Sequence, residues 1–213
     1  MRFKNRSDAG RKLAEKLAAY GGEDAVVYAL PRGGVVLGYE IARKLAAPLD
    51  LIIPRKIGHP SNPEYAIGVV VEDGHTLFGE QERLGVDAEW MSREIEKERQ
   101  EAHRRRSAYL KRREPISTKG KTAIVVDDGA ATGLSLLLAI REIKEHQKPR
   151  RLIAALPVAP ADTAGKIKKE VDELVALYVP SLFFGAVGAY YKEFGQVEDA
   201  EVVALMEKAS QRG

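Results

Sequence analysis

"TAIVVDDGAATGLS", residues 122–135, is the stretch that decides the fold. Ala123 to Val126 form an apolar run that ends in two adjacent carboxylates, Asp127 and Asp128. Five small residues follow, and a helical pattern begins at Leu134. A short apolar strand, a small-residue turn and a helix make up one strand-to-helix unit of an α/β sheet. The same grammar recurs along the chain. "DAVVYAL" (24–30), "LDLIIP" (49–54), "RLIAALPV" (151–158) and "ELVALYV" (173–179) read as further buried strands. Helical spacing follows them over 35–45, 134–145 and 161–169. Because the strands are apolar without in-out alternation, both faces of the sheet must be covered. The expected fold is therefore α/β, a parallel twisted sheet with helices on both faces.

Around this frame the chain reads as one domain over 1–213. Ser7 is the expected cap of an N-terminal helix within 1–22, a segment that closes with Gly21-Gly22. "RKIGHPSNPEY" is rich in Gly, Pro and Asn and reads as an irregular loop. "AIGVVVEDGHTLF" reads as a hairpin turning at Asp73-Gly74, so 54–80 forms a lid loop and small hairpin. Asp87 is the expected cap of a long helix over 87–113. Residues 180–213 read as an aromatic hood and a final amphipathic helix.

Composition bounds the chemistry. With no cysteine in 213 residues, disulfides and thiolate metal sites are excluded, and a reducing, cytoplasmic setting is expected. His59, His75, His103 and His146 are scattered without ligand spacing, so a protein-held zinc site is not expected. No apolar run has membrane-spanning length, and the first residues lack the apolar core of a secretory signal. Residues 93–113 hold nine Lys/Arg and four Glu, a local excess of +5 on a chain of net charge +3. This stripe reads first as a solvated helix face with i,i+4 ion pairs, and second as a surface for phosphate or nucleic acid.

In an open parallel sheet, ligands sit beyond the carboxyl ends of the strands. The turn 127–135 is a phosphate cradle by composition. Gly129, Ala130, Ala131, Thr132 and Gly133 let backbone amides approach an anion at a helix N-terminus, and Thr132 and Ser135 add hydroxyls. It is not a Walker loop, because Leu134 stands where the lysine belongs, and it lacks the G-x-G-x-x-G fingerprint. Two carboxylates beside a phosphate cradle make sense for a ligand with both a phosphate and hydroxyl groups, such as a sugar phosphate.

This string resembles the phosphoribosyl-diphosphate-binding motif of the type I phosphoribosyltransferases. The resemblance implies a Rossmann-like fold of that type, in which Asp127 and Asp128 bind the ribose hydroxyls and residues 129–133 with Ser135 hold the 5′-phosphate. It implies that "LPRGGV" contacts pyrophosphate through Arg32, Gly33 and Gly34, with a cis peptide bond entering Arg32. It implies a pyrophosphate role for Arg55 and Lys56. His59 stands where a further lysine of the pattern is expected. Phe183, Phe184 and Tyr190 are the candidates for a base-binding hood. Taken whole, the chain is similar to a group of bacterial phosphoribosyltransferase-domain proteins.

The resemblance implies a cytoplasmic enzyme, a homodimer, that binds phosphoribosyl diphosphate with Mg²⁺. The ion would lie near Asp127 and Asp128, directly or through water. The phosphoribosyl group passes to a nitrogenous base and pyrophosphate leaves, with Arg32, Arg55, Lys56, Asp127 and Asp128 as the catalytic set. An alternative expectation is a regulator that senses phosphoribosyl diphosphate and binds RNA or DNA through the basic 93–113 helix. A third is an interaction module in which that helix is a dimer arm.

Overall fold

A computed structural model describes residues 2–21, 24–79, 85–111 and 113–211, apart from the side chain at 64. Gly22, and the ends of the segments expected over 54–80 and 180–213, lie outside the described residues.

Five strands form a parallel sheet: β1 (Ala25–Ala29), β2 (Leu49–Leu51), β6 (Thr122–Val126), β7 (Arg151–Val158) and β8 (Glu173–Tyr178). Their spatial order is β2-β1-β6-β7-β8. The order reverses at β1, whose neighbours are β2 on one side and β6 on the other, in register Val27 to Leu49 and Val27 to Ile124. Side chains alternate across each strand. Val27, Ala29, Ile124 and Val126 enter one core. Val26, Tyr28, Ala123 and Val125 enter the other. The first core is closed by α1 (Arg6–Lys16), α2 (Gly33–Leu45) and α6 (Asp199–Ser210), and the second by α4 (Leu134–Glu142) and α5 (Ala161–Lys168). This is why the strands carry no polar face.

Local signals explain most boundaries. Asn5, not Ser7, caps α1, its side chain accepting from the Asp8 amide at 3.0 Å. Ser7 falls one residue inside the helix, where its hydroxyl is past the capping position. Asp87 caps α3 (Ala88–Leu110) as expected, accepting from the Trp90 amide at 2.8 Å. α4 ends in a single π-type turn over Ile143–Gln147.

One expectation needs correction. The segment read as an irregular loop contains strand β3 (Arg55–His59), which pairs antiparallel with β4 (Asn62–Val70); β4 pairs in turn with β5 (Thr76–Phe78). The Gly and Pro residues mark irregular register between Ile57 and His59 rather than loss of pairing. Ile57, Ile67 and Val70 on this small sheet pack with Met91 of α3. Arg106 of α3 is also drawn inward. It donates to the Leu51 carbonyl at 2.6 Å and pairs with buried Asp50 at 3.2 Å and with Glu72 at 3.2 Å.

The two ends of the chain are sewn together. Phe3 donates to the Tyr190 carbonyl and accepts from the Lys192 amide, both at 2.8 Å, and the Glu193 amide donates to the Lys4 carbonyl at 3.0 Å. This short ladder brings the start of α1 and the aromatic hood segment to the end of β6, where Arg6 and Tyr191 meet Asp128. Among the described residues, no helix is long and apolar enough to cross a membrane.

Candidate active site

The reversal of strand order between β1 and β6 opens a crevice at their carboxyl ends, where Pro31-Arg32 and Asp127-Asp128 emerge. The two turns are in intimate contact. A Cβ on Gly34 would stand 2.9 Å from the Val126 carbonyl, and one on Gly33 would stand 1.9 Å from Asp128 Oδ2. Only glycine lets the start of α2 pass so close to the end of β6. The peptide bond entering Arg32 is cis, at the position the resemblance implies.

Adjacent residues at a strand end point to opposite sides, and this separates the two acids. Asp127 lines a cavity of about 290 Å³ together with Pro31, Arg55, Lys56, Arg105 and Ser135. Its Oδ1 accepts from the Asp128 amide at 2.8 Å. Burial, then the neighbouring Asp128 carboxylate, push its acid well above the usual range, and Arg6 and Lys56 pull the other way. Asp128 turns to the other side. Its Oδ2 accepts from Arg6 Nε at 2.7 Å, and its carbonyl accepts from the Tyr191 hydroxyl at 2.6 Å. Burial raises its pKa and the Arg6 guanidinium opposes the rise. Arg6 is itself clamped, donating to the Gly195 carbonyl at 2.6 Å and lying 3.8 Å from the centre of the Phe194 ring.

The phosphate-cradle turn is braced from three sides. The Ala130 amide donates to the Val158 carbonyl at 3.0 Å, and the Thr163 hydroxyl donates to the Ala131 carbonyl at 2.7 Å. Gly129 and Gly133 hold positive φ values of 147° and 78°. A side chain at either would strike Val187 or Thr163. Ser135 faces the smaller cavity. Ala131 and Thr132 face a larger groove of about 940 Å³ that also takes in Tyr65, Phe78 and Lys166.

The expected cations differ in availability. Lys56 is exposed at the cavity rim. Arg55 also lines the cavity, but its guanidinium is paired with Glu98 of α3 at 2.7 Å. Arg32 is drawn toward Asp199 at 3.4 Å and Glu198 at 3.7 Å. In the hood, Phe184 is 67% exposed, whereas Tyr190 is 1% exposed. Tyr190 stacks with Phe183 at 5.3 Å, and its hydroxyl accepts from the Phe184 amide at 3.0 Å. The reading of Tyr190 as a residue that meets a base is therefore corrected: its ring is core, and it supports Phe183 and Phe184.

Arg6 and Arg105 are not legible in the sequence as site residues, and Tyr191, one of the hood aromatics, meets the site through its hydroxyl rather than as a base-stacking ring. Arg6 and Tyr191 reach it only through the pairing of the chain ends. Arg105 reaches the cavity from α3, where it was one of many cations, and it is held by Glu101 at 2.8 Å. No local signal distinguishes either arginine.

A sequence model of the family described as the phosphoribosyl transferase domain matches residues 3–193. A Mycobacterium tuberculosis H37Rv protein named "Putative phosphoribosyl transferase Rv0571c" is 39% identical over 209 residues. The match covers 97% of this chain and 47% of that protein, so the chain spans about half the length of the curated relatives it matches. The crystal structure of TT1426 from Thermus thermophilus superposes with a TM-score of 0.80 at 41% identity, covering 98% of this chain and 99% of the other. With a domain match over nearly its whole length and a crevice built at the switch point of its sheet, the chain belongs to the phosphoribosyl transferase domain family.

Proposed function

We propose that the chain, acting as one phosphoribosyltransferase unit, binds phosphoribosyl diphosphate and passes its phosphoribosyl group to a nitrogenous base, releasing pyrophosphate. One observation carries this reading. Asp127 and Ser135 from the turn after β6, and Lys56 from β3 about seventy residues earlier, line the same cavity at the switch point. An acid for hydroxyls, a hydroxyl at a helix start and an exposed cation are the groups a sugar bearing two phosphoryl centres requires.

The chemistry assigned to each residue follows from its position. Asp127 accepts hydrogen bonds from ribose hydroxyls, and Asp128, oriented by Arg6, presents its second oxygen. The turn 129–133, through its amides other than that of Ala130, which is held by the Val158 carbonyl, receives the 5′-phosphate with Ser135. Lys56, with Arg55 and Arg32 once their carboxylate partners are exchanged for phosphate, and the amides of Gly33 and Gly34 receive the pyrophosphate. The C1′–O bond breaks with its electron pair leaving on pyrophosphate. The base nitrogen forms the new bond to C1′ and loses its proton. Positive charge develops on the ribose in an oxocarbenium-like transition state, which the two carboxylates stabilise.

The donor set also fits Mg²⁺. Asp127 and Asp128 are adjacent hard carboxylates, of which Asp128 is paired with Arg6, and a hard cation that keeps several waters suits such oxygens. Asp127 and Asp128 would hold the ion, directly or through water, and bound there it neutralises charge on the leaving group.

The regulator reading receives less support. Within α3, Lys97 pairs with Glu94, Arg99 with Glu96, and Arg104 and Arg105 with Glu101. Arg106 is turned toward the core. These pairs thin the field that a polyanion would meet.

Calorimetry with phosphoribosyl diphosphate and Mg²⁺, followed by pyrophosphate release across a panel of bases, tests the proposal. Saturable binding that Asp127→Asn weakens by at least about tenfold, with turnover on one class of base, is the expected result. Binding with no turnover on any base would move the reading to a sensor, and no binding would end it.

A further inference from the structure

The histidines that look scattered in sequence are not all scattered in space. Asp73 and His75 sit in the turn between β4 and β5, whereas Glu142 and His146 lie four residues apart at the end of α4. Among the described residues these four form a group whose donor atoms all lie within 4.8 Å of one another. Glu142 is the hinge of the group. One carboxylate oxygen lies 2.7 Å from His75 Nδ1 and the other lies 3.1 Å from His146 Nδ1. His75 Nδ1 is also 2.9 Å from Asp73 Oδ2. The two imidazoles stack, with centroids 4.4 Å apart and planes 22° from parallel.

Two stacked imidazoles that share the Glu142 carboxylate are poor neighbours if both are protonated, because their like charges repel. They are well placed as neutral ligands that share one cation. We propose that Asp73, His75, Glu142 and His146 bind a divalent first-row transition-metal ion, with Zn²⁺ the best match to two imidazoles and two carboxylates. In a tetrahedral site each donor lies about 2.0–2.2 Å from the ion and so about 3.4 Å from the next donor; the pairs now at 2.7, 2.9 and 3.1 Å need to open slightly, and the widest, within 4.8 Å, to close. Imidazole donors favour zinc, nickel or copper over magnesium, which prefers an all-oxygen shell.

The site is separate from the cavity at the switch point. On α4, Ser135 stands at that cavity and Glu142 lies about two turns further on, roughly 10 Å of helix rise. The ion would tie the small antiparallel sheet, which carries Arg55 and Lys56, to the helix whose start forms the phosphate cradle. Sequence reading missed the group because its two halves lie on different elements, and an Asp-Gly-His turn and a Glu-x-x-x-His pair are each commonplace alone.

The test is a calorimetric titration of Zn²⁺ into the full chain near pH 7.5, without phosphoribosyl diphosphate. One saturable equivalent is expected, with Mg²⁺ at the same concentration failing to compete. His75→Asn and His146→Gln should each weaken binding about tenfold or more, and Asp127→Asn should leave it unchanged. Circular dichroism checks the fold of each variant. Should the histidine variants misfold, Co²⁺ bound to the wild-type chain should give the intense visible bands of a tetrahedral site. Absence of saturable Zn²⁺ binding, equal binding by the histidine variants, or octahedral-type weak cobalt bands would overturn the proposal. Because no sugar phosphate enters the assay, failure here leaves the transferase reading standing, and loss of the transferase reading leaves this one standing.

Discussion

Arg6 Nε and Asp128 Oδ2 lie 2.7 Å apart across 122 residues of sequence, with the two side chains 13% and 18% exposed. The pair joins the first helix to the end of the central strand. Arg6→Ala leaves a partly buried carboxylate without its guanidinium, a loss of about 1–3 kcal/mol for a hydrogen-bonded charged group. Urea unfolding should show that loss, and calorimetry should show weaker binding of phosphoribosyl diphosphate because Asp128 is no longer oriented. Arg6→Lys should recover part of the stability. Unchanged unfolding midpoints in Arg6→Ala would show the pair to be incidental.

Asp127→Asn separates function from stability. In the native chain this acid is held in a site that disfavours its charge, so replacing it with a neutral isostere should not lower the melting temperature, and should raise it near neutral pH. Binding of phosphoribosyl diphosphate should fall at least about tenfold, the loss of one charge-assisted hydrogen bond of about 1.4 kcal/mol or more. Thermal melts and calorimetry on the same preparation check both halves. A variant that melts lower and still binds would contradict the assignment.

Gly33→Ala tests the packing of the two turns. Its Cβ would stand 1.9 Å from Asp128 Oδ2 and 2.8 Å from Arg6 Nε, so the ion pair must move. Overpacking of this kind costs about 1–3 kcal/mol. The expected outcome is a lower urea midpoint together with weakened ligand binding. Gly165→Ala, where an added Cβ meets nothing within 4 Å, should show neither effect.

Lys56→Ala should weaken binding without the loss of stability expected of Arg6→Ala. The side chain is exposed, so its removal should change stability by no more than about 0.5 kcal/mol. Affinity for phosphoribosyl diphosphate and for pyrophosphate should both drop, and the drop should be larger at low salt. Equal affinity of the wild type and variant for pyrophosphate would remove Lys56 from the site.

Glu101 supplies a pH-dependent prediction. Hydrogen bonds from Arg104, and then Arg105, hold its carboxyl down to about 2 despite partial burial. A folded pKa below the unfolded value means that the unfolded chain binds the proton more readily. The stabilisation is therefore present above about pH 4.5 and is lost as pH falls toward about 2. As surface helix pairs these interactions are worth only about 0.3–0.5 kcal/mol each. Glu101→Gln should lower stability by about that much at pH 7 and by nothing near pH 2. It should also free Arg105, which lines the cavity, and so alter ligand affinity. A constant difference between the two chains across pH 2–7 would argue against the pairing.

The reach of the sequence is clearest at β6. Its four apolar residues, two acids and small-residue turn carried the strand, the helix and the crevice, because each of those signals is local. A strand with both faces buried must be apolar, and a turn without side chains must be small. The failures were also local in cause. β3 is hidden because glycine and proline mark both irregular strand pairing and loops, and Ser7 reads as the cap because serine, like Asn5, is a residue type that can cap a helix. Tyr190 was placed in the hood with its neighbours because aromatic composition does not say which ring is covered.

What the chain determined by itself is therefore its architecture and the turn that opens its crevice, since periodicity and turn chemistry act over a few residues. Tertiary structure alone decided that Asp127 and Asp128 face different partners, that Arg6, Tyr191 and Arg105 stand at the site, and that His75 stacks on His146. Those relations depend on which distant surfaces meet when two cores close around one sheet, and no short-range pattern encodes them.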